Sequence, residues 1–224
     1  MFIVEKKPKS ISAESYRTLR TNIQYSSFDK EIRTIVVTSS EPGEGKSTVA
    51  GNLALSFAQA EKRTIIIDCD LRKPSLHKKF KVSNLYGLSD VLIGNEKIDK
   101  ALVKHSPYLH ILTSGKIPPN PAEMLGSKIM NKLLNELRDV YDIIILDSAP
   151  LQAVTDAQIL STKADGTILV VRAEATKRDS VIQAKQLLEK VGSNILGIVL
   201  NAVEDRKKKY YYYYGSEKRE ETKW

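Results

Sequence analysis

A glycine-containing loop between a predicted strand and a predicted helix is the feature that most restricts the fold of this chain. Residues 33–39 are rich in β-branched apolar side chains and predict a strand, whereas residues 48–58 have the pattern of a helix. The segment between them, residues 40–48, is Ser-Glu-Pro-Gly-Glu-Gly-Lys-Ser-Thr. Strand, glycine turn and helix in this order are typical of a phosphate-binding loop, so the chain is predicted to hold a nucleoside triphosphate.

The residue types in the loop fit this chemistry. Gly43 and Gly45 let the backbone approach the phosphates and turn its N–H groups inward, and the start of the helix adds its dipole. Lys46 supplies a positive charge, and Ser47 supplies a hydroxyl that binds magnesium. Serine stands at position 40, where glycine is usual. The predicted nucleotide-binding residues of the loop are Pro42, Gly43, Glu44, Gly45, Lys46, Ser47 and Thr48.

Apolar runs and helical patterns alternate along the rest of the chain, which predicts an α/β fold with a mainly parallel central sheet and helices on both faces. In such a sheet, ligands bind beyond the carboxyl ends of the strands. The predicted strands are 34–38, 64–68, 109–113, 142–147, 167–171 and 195–200. The predicted helices are 12–26, 48–58, 128–140, 153–162 and 177–191.

The 224 residues are enough for one sizeable core and few for two. We therefore expect a core at 31–203, an N-terminal arm with an oligomerisation helix at 1–30, and a mobile basic, tyrosine-rich tail at 204–224. The sequence has no apolar stretch of the ~20 residues that a membrane span needs and no signal-peptide pattern, so we expect a cytoplasmic protein. Cys69 lies in an apolar run and is interpreted as a buried structural thiol.

Three aspartates follow apolar runs at the predicted strand ends. Asp68 and Asp70 close one strand at alternate positions, and Asp147 closes another. Carboxylates at these ends would meet beside the phosphate loop, where they can bind magnesium and accept a proton from an attacking hydroxyl.

Five consecutive tyrosines stand near the carboxyl end: Tyr210, Tyr211, Tyr212, Tyr213 and Tyr214. Neighbouring side chains of an extended segment point to opposite sides, so the five cannot share one core and are expected in an exposed tail. A phenol has a pKa near 10 and needs a base to become a good nucleophile, which the aspartates offer. Aromatic packing on a partner, or anchoring at a membrane interface, is the alternative.

The net charge of +8 and the basic segment 206–209 are compatible with anionic partners. The charge is otherwise scattered, and recognition motifs for nucleic acid are absent from the sequence, so no specific nucleic-acid partner is predicted.

Together these motifs resemble those of bacterial tyrosine kinases, in the soluble cytoplasmic form that regulates capsular and extracellular polysaccharide production. The segment 40–47 is similar to the phosphate loop of that family. Two further segments, Ile-Ile-Ile-Asp-Cys-Asp-Leu-Arg-Lys-Pro at 65–74 and Ile-Ile-Leu-Asp-Ser-Ala-Pro at 144–150, are similar to its acidic motifs. Residues 114–121 also resemble a family signature, and the likeness covers nearly the whole chain.

The resemblance implies an ATP-dependent protein-tyrosine kinase that phosphorylates its own tyrosine cluster. Lys46, Asp68 and Asp70 would be catalytic, and the metal would be held by Ser47, Asp68 and Asp147. Which of Asp68 and Asp70 acts as the base stays open. The implied partners are ATP, Mg²⁺, protein-tyrosine substrates, a cognate tyrosine phosphatase and a transmembrane adaptor of the polysaccharide co-polymerase type that recruits the protein to the inner face of the plasma membrane.

Glu14, Arg17 and Arg20 recur at three-residue spacing on the predicted helix 12–26, where they share one flank beside the apolar stripe. The pattern Glu-x-x-Arg-x-x-Arg resembles the ring-forming motif of the family, which implies a homo-oligomeric ring and phosphorylation in trans. A solvated, charged helix flank is the alternative.

Two other functions compete with the kinase. The family resembles the MinD/ParA-like positioning ATPases, which carry an extra lysine early in the loop where this chain has Glu41-Pro42. In a purely scaffolding role, the ring and the tail would bind an export assembly. Asn201 closes a predicted strand at the position where such folds bind adenine, and the residues after it lack the guanine-selecting signature, which favours ATP; it could also simply cap the strand.

Overall fold

The computed structural model describes residues 2–26 and 31–203, and within them one sheet of seven strands forms the centre of the molecule. The strands lie in the order β3-β4-β2-β5-β1-β6-β7. All neighbours are parallel except β3 and β4. The strands are β1 Thr34–Ser39, β2 Thr64–Asp68, β3 Leu102–Ser106, β4 Leu109–Leu112, β5 Ile143–Asp147, β6 Gly166–Arg172 and β7 Ile195–Asn201.

Helices cover both faces of the sheet. The described helices are α1 Ile3–Lys6, α2 Ile11–Gln24, α3 Lys46–Ala58, α4 Leu76–Phe80, α5 Leu88–Leu92, α6 Ile98–Ala101, α7 Pro121–Gly126, α8 Lys128–Val140, α9 Asp156–Ser161 and α10 Arg178–Lys190. The prediction of a mainly parallel α/β sheet with helices on both faces is confirmed.

Alternation along the central strands divides the core into two layers. On β1, Ile35 and Val37 pack with helices α1, α2 and α3, whereas Val36 between them packs with α8. On β5, Ile145 belongs to the first layer and Ile144 to the second. Because both faces are covered, these strands are fully buried and appear in the sequence as continuous apolar runs.

Strand β3 and the short helices α1 and α4 to α7 were not predicted from the sequence. Strand β3 pairs antiparallel with β4 at one edge of the sheet, with a register shift between Lys104 and Ser106. The predicted helix 153–162 is shorter, because α9 begins at Asp156. No helix within 2–26 and 31–203 combines the length and apolar character needed to cross a membrane.

The N-terminal arm packs on α3, the helix that follows the phosphate loop. The ring of Phe2 is buried and occupies the space where a side chain at Gly51 would lie, since a Cβ there would be 2.2 Å from the ring. The amide N–H of Val4 donates to Asn52 Oδ1 at 3.1 Å, and Gln59 donates to the Val4 carbonyl at 3.3 Å. The arm is therefore part of the hydrophobic core in this fold.

Candidate active site

The phosphate loop connects β1 to α3 through two glycines with positive φ angles. Gly43 has φ +86° and Gly45 has φ +96°, a backbone region that L side chains rarely adopt. A Cβ at Gly45 would also lie 2.1 Å from Nδ2 of Asn201. Position 45 thus requires glycine for two reasons: the backbone is left-handed where it enters α3, and the end of β7 leaves no space for a Cβ atom.

Hydrogen bonds join the loop to the segment after β6, to α10 and to the end of β7. The carboxylate of Glu44 accepts hydrogen bonds from the Glu41 amide at 2.8 Å and from the Thr176 hydroxyl. The Ser180 hydroxyl donates to Glu41 Oε1 at 2.6 Å, and Asn201 Nδ2 donates to the Glu44 carbonyl at 2.9 Å. Sequence analysis identified Asn201 but missed Thr176 and Ser180, which carry no motif of their own.

The loop lysine is engaged by an acidic side chain. Lys46 Nζ donates to Asp70 Oδ2 at 2.8 Å, and Asp70 Oδ1 accepts from the Lys73 amide at 3.0 Å. Burial alone would lower the pKa of Lys46, but the negative charges of Asp147, Asp70 and Asp68 outweigh it and raise the pKa. Lys46 is therefore held in its charged form.

Asp68 lies at the end of β2 and is fully buried. Its Oδ2 accepts from the amide of Ser75 at 3.0 Å and from that of Leu76 at 2.9 Å. Its Oδ1 is buried and has no hydrogen-bond partner among the described residues. Burial and then the charge of Asp147 raise the pKa of Asp68, despite the two backbone donors.

Asp147 ends β5 directly beside Asp68, with which it is in register across the parallel pair. Both carboxylate oxygens of Asp147 are buried and lack a hydrogen-bond partner within the part of the chain that the structure describes. Burial raises the pKa of Asp147, and the positive charge of Lys46 and the nearby hydroxyl of Ser47 oppose that rise.

Burying carboxylate oxygens without hydrogen-bond partners destabilises a fold. Carboxylate oxygens are ligands of hard divalent cations, which would supply the missing partner. Three such oxygens belong to Asp68 and Asp147, next to a hydroxyl at Ser47 on the first turn of α3. The donor set therefore fits Mg²⁺ shared with phosphate oxygens.

A second ion pair joins the acidic segment after β2 to α9. The guanidinium group of Arg72 donates to both carboxylate oxygens of Asp156, at 2.9 Å and 3.1 Å, and Asp156 is fully buried. The contact fixes the backbone two residues beyond Asp70. Sequence analysis quoted Arg72 only as a part of a motif and did not identify its partner.

The proposed oligomerisation residues lie on α2, away from the three carboxylates. Arg17 pairs with Glu14 at 2.8 Å and also donates to the Pro8 carbonyl at 2.7 Å. Arg20 instead donates to the Ser56 carbonyl on α3 at 2.8 Å. In the described chain, Arg20 is thus turned toward its own core, unlike the shared outward flank expected from its spacing. Tyr210 to Tyr214 lie outside the described residues.

The chain is similar over most of its length to known tyrosine-protein kinases. The AAA domain family matches residues 32–197. "Tyrosine-protein kinase YwqD" of Bacillus subtilis is 44% identical over 89% of this chain and 84% of the relative. "Putative tyrosine-protein kinase CapB" of Staphylococcus aureus is 39% identical over 88% of the chain and 87% of the relative. Among solved structures, the kinase domain of Escherichia coli tyrosine kinase ETK superposes with a TM-score of 0.88 at 33% identity, covering 95% of this chain and 84% of that one.

The fold extends to a more distant group. The septum site-determining protein MinD of Pyrococcus horikoshii, in complex with Mg-ADP, superposes with a TM-score of 0.63 at 25% identity, covering 75% of this chain and 69% of that one. This likeness supports the phosphate-loop fold and not the positioning function.

Proposed function

We propose that this chain, which belongs to the bacterial tyrosine-protein kinases, transfers the terminal phosphoryl group of ATP to the tyrosines 210–214 of a neighbouring copy. The single observation that carries the site assignment is the ion pair of Lys46 with Asp70 beside carboxylate oxygens of Asp68 and Asp147 that have no hydrogen-bond partner in the described part of the chain. One positive and three acidic groups next to a phosphate loop are the groups that phosphoryl transfer requires.

In this reaction the phenol oxygen forms a bond to the γ-phosphorus, the bond between that phosphorus and the β–γ bridging oxygen breaks, and ADP leaves. The phenol proton passes to Asp68 or Asp70. The loop backbone and Lys46 hold and orient the phosphates, while Ser47, Asp68 and Asp147 would hold Mg²⁺, which supplies positive charge for the transferring group when bound. Asn201 would contact the adenine ring, a role supported by its hydrogen bond to the loop carbonyl of Glu44.

The two candidate bases differ in their surroundings. One carboxylate oxygen of Asp68 accepts hydrogen bonds from two backbone N–H groups. The other oxygen has no hydrogen-bond partner among the described residues, and the carboxylate lies beside Asp147. Asp70 has an oxygen on the Lys46 ammonium, a contact that phosphate binding competes for. Asp68 is thus the residue better suited to the metal, and both Asp68 and Asp70 are proposed as proton acceptors.

The test is to incubate the purified chain with Mg-ATP, with and without the cytoplasmic segment of its adaptor, and to map phosphate by mass spectrometry. We expect phosphate on Tyr210 to Tyr214 and none on the Lys46→Met variant. Release of phosphate to water with unmodified tyrosines would indicate the positioning ATPase instead.

Transfer in trans has its own test. A Lys46→Met chain that keeps its tyrosines is mixed with a chain whose five tyrosines are replaced by phenylalanine. We expect phosphate on the Lys46→Met chain, because the other copy supplies the active site. An unlabelled Lys46→Met chain in this mixture, together with a labelled wild type alone, would restrict the reaction to a single copy.

The wider role is proposed on the same basis. A homo-oligomeric ring would use Glu14, Arg17 and Arg20, and a transmembrane adaptor would bring the cytoplasmic protein to the membrane, where it regulates capsular or extracellular polysaccharide synthesis and export. A cognate phosphatase would reset the tyrosines. The division into arm 1–30, core 31–203 and tail 204–224 belongs to this proposal.

Phosphorylation would also change the charge of the tail. Residues 204–224 contain seven basic and five acidic side chains, and each phosphotyrosine adds about 1.5 to 2 negative charges. Two such additions reverse the sign, so the modified tail would leave an acidic pocket and loosen the ring. Equal sedimentation of the fully phosphorylated and unmodified protein would contradict this switch.

A further inference from the structure

A second lysine reaches the phosphate loop from the short helix α4. Leu76 and Phe80 are buried four residues apart, which fixes the side of α4 that faces the core. Lys79 lies beside that stripe and is half-buried, whereas Lys78 is exposed. The ammonium of Lys79 donates to the hydroxyl of Thr48 at 3.0 Å, on the first turn of α3.

Contacts at both ends of α4 fix the position of Lys79. At the start, the amides of Ser75 and Leu76 bind Asp68 Oδ2. At the end, the ring of Phe80 packs against that of Phe2, with centroids 4.4 Å apart. The lysine is therefore placed by the same carboxylate that lines the catalytic pocket.

The ammonium of Lys79 has capacity for a further ligand. Within residues 2–26 and 31–203, no carboxylate lies within ion-pair distance of it, and an ammonium group has three N–H donors. Its charge nevertheless reaches the pocket, because it contributes to lowering the pKa of Asp147 against the effect of burial.

The pocket is short of positive charge. Asp68, Asp70 and Asp147 are acidic, and a nucleoside polyphosphate adds further negative charge, against which stand Lys46 and a divalent cation. Thr48 belongs to the loop whose backbone N–H groups cradle the α- and β-phosphates in proteins of this fold. The ammonium of Lys79, hydrogen-bonded to Thr48, is thus near the α-phosphate end of the chain, whereas the loop lysine Lys46 contacts the β- and γ-phosphates.

We propose that Lys79 is a second phosphate-binding lysine, which turns from the Thr48 hydroxyl to the α- or β-phosphate of the bound nucleotide. This inference rests on the proposed function, because it concerns the same nucleotide site. It assigns Lys79 to binding and orienting the nucleotide, not to proton transfer.

The experiment measures binding of Mg-ADP to the full chain by isothermal titration calorimetry, for the wild type and the Lys79→Met, Lys79→Arg and Lys78→Met variants. We expect about tenfold weaker binding for Lys79→Met, since one hydrogen bond to a charged group is lost. Lys79→Arg keeps the charge and should bind within about threefold of the wild type. Lys78→Met is the matched control and should bind as the wild type does.

Two further readouts separate a phosphate contact from a structural role. Affinity of the wild type should fall more steeply with salt concentration than that of Lys79→Met, because an ionic contact is screened. Nucleotide-free melting temperatures of the two should agree within a few degrees. Equal ADP affinity and equal salt dependence of Lys79→Met and wild type would overturn this inference and leave the proposed function intact. Failure of the wild type to bind Mg-ADP would overturn both.

Discussion

The ammonium of Lys46 lies 2.8 Å from Oδ2 of Asp70, so the lysine of the phosphate loop is paired with a carboxylate of its own site. Both side chains are nearly buried, with 14% and 5% of their surfaces exposed. Any phosphate that binds Lys46 must share or displace Asp70. Nucleotide binding and the release of a carboxylate are thereby coupled.

This pairing predicts opposite effects of one substitution on binding and on turnover. In Asp70→Asn, the phosphate no longer competes with a carboxylate for Lys46, so we expect Mg-ADP to bind severalfold more tightly. Phosphorylation of the tyrosines should fall, because a proton acceptor is lost. Calorimetry with ADP and a phosphotyrosine time course measure the two effects. Weaker ADP binding together with unchanged phosphorylation would contradict the coupling.

Removal of the buried charge at position 147 should stabilise the metal-free protein. Burial raises the pKa of Asp147, so its ionised form is unfavourable in the fold, and Asp147→Asn should gain about 1 to 3 kcal/mol at neutral pH in the presence of a chelator. The same variant should lose most of the stabilisation that Mg-ADP gives the wild type. Urea denaturation with and without Mg-ADP provides both numbers. A variant less stable than the wild type in chelator would show that the charge is compensated in the fold.

The raised pKa values also set the direction of the pH dependence. Because the pKa values of Asp68 and Asp147 are raised above their ordinary value near 4, the fold binds more protons than the unfolded chain above that pH. The contribution of these two carboxyl groups to the free energy of unfolding is fully present below about pH 4 and is lost as the pH rises through their raised pKa values. In chelator, we expect the free energy of unfolding of the wild type, relative to that of Asp147→Asn, to fall from about pH 4 to about pH 8, because the pKa values are raised to about 6 for Asp147 and about 8 for Asp68. A difference that stayed constant or grew over this range would refute the assigned shifts.

Substitutions at the residues proposed for oligomerisation should separate effects on folding from effects on assembly. Arg20 donates to the Ser56 carbonyl within its own chain, so Arg20→Ala should lower the free energy of unfolding by about 1 to 2 kcal/mol. Glu14 is 66% exposed, so Glu14→Ala should hardly change stability but should reduce ring assembly. Glu136→Ala, at an exposed ion pair on α8, is the control. Sedimentation velocity measures assembly, and urea denaturation measures stability. Unchanged assembly of Glu14→Ala would show that Glu14 is not part of the proposed interface.

The contact between Phe2 and Gly51 predicts a change that depends on its partner. A Cβ at position 51 would lie 2.2 Å from the Phe2 ring, so Gly51→Ala should destabilise the wild type by about 1 to 3 kcal/mol through overpacking. In a Phe2→Ala background the clash is gone, and the same change should be neutral or stabilising, since alanine favours a helix. A double-mutant cycle in urea measures the coupling. Additive effects would show that the arm does not rest on α3.

The sequence was sufficient for the features that local pattern and chemistry determine. Buried parallel strands appear as continuous apolar runs, so β1, β2 and β5 were predicted, together with the aspartates that end β2 and β5. Strand β3 was missed because Leu-Val-Lys-His-Ser is half-buried and lies at the antiparallel edge of the sheet, where neither continuous burial nor clear alternation is required.

Contacts between distant segments were beyond the sequence pattern. Arg20 shares the helical spacing of Glu14 and Arg17, yet its length and position let it reach a carbonyl on α3. Lys79 looks like one of several lysines in its segment, and only the docking of Leu76 and Phe80 distinguishes it from Lys78. Such partners depend on how the elements pack, which spacing alone does not specify.

Asn201 ends the last strand, and its amide is fastened to the carbonyl of Glu44, so the polypeptide that carries the tyrosines departs beside the phosphate loop. Tyr210 follows Asn201 by nine positions, which limits its distance from that point to roughly 30 Å. For the transfer in trans proposed above, a tether of this length lets Tyr210 enter only the phosphate loop of a copy held within that distance. In the proposed ring, the spacing between neighbouring copies, rather than the amino acids around each tyrosine, would then decide which hydroxyl groups become acceptors.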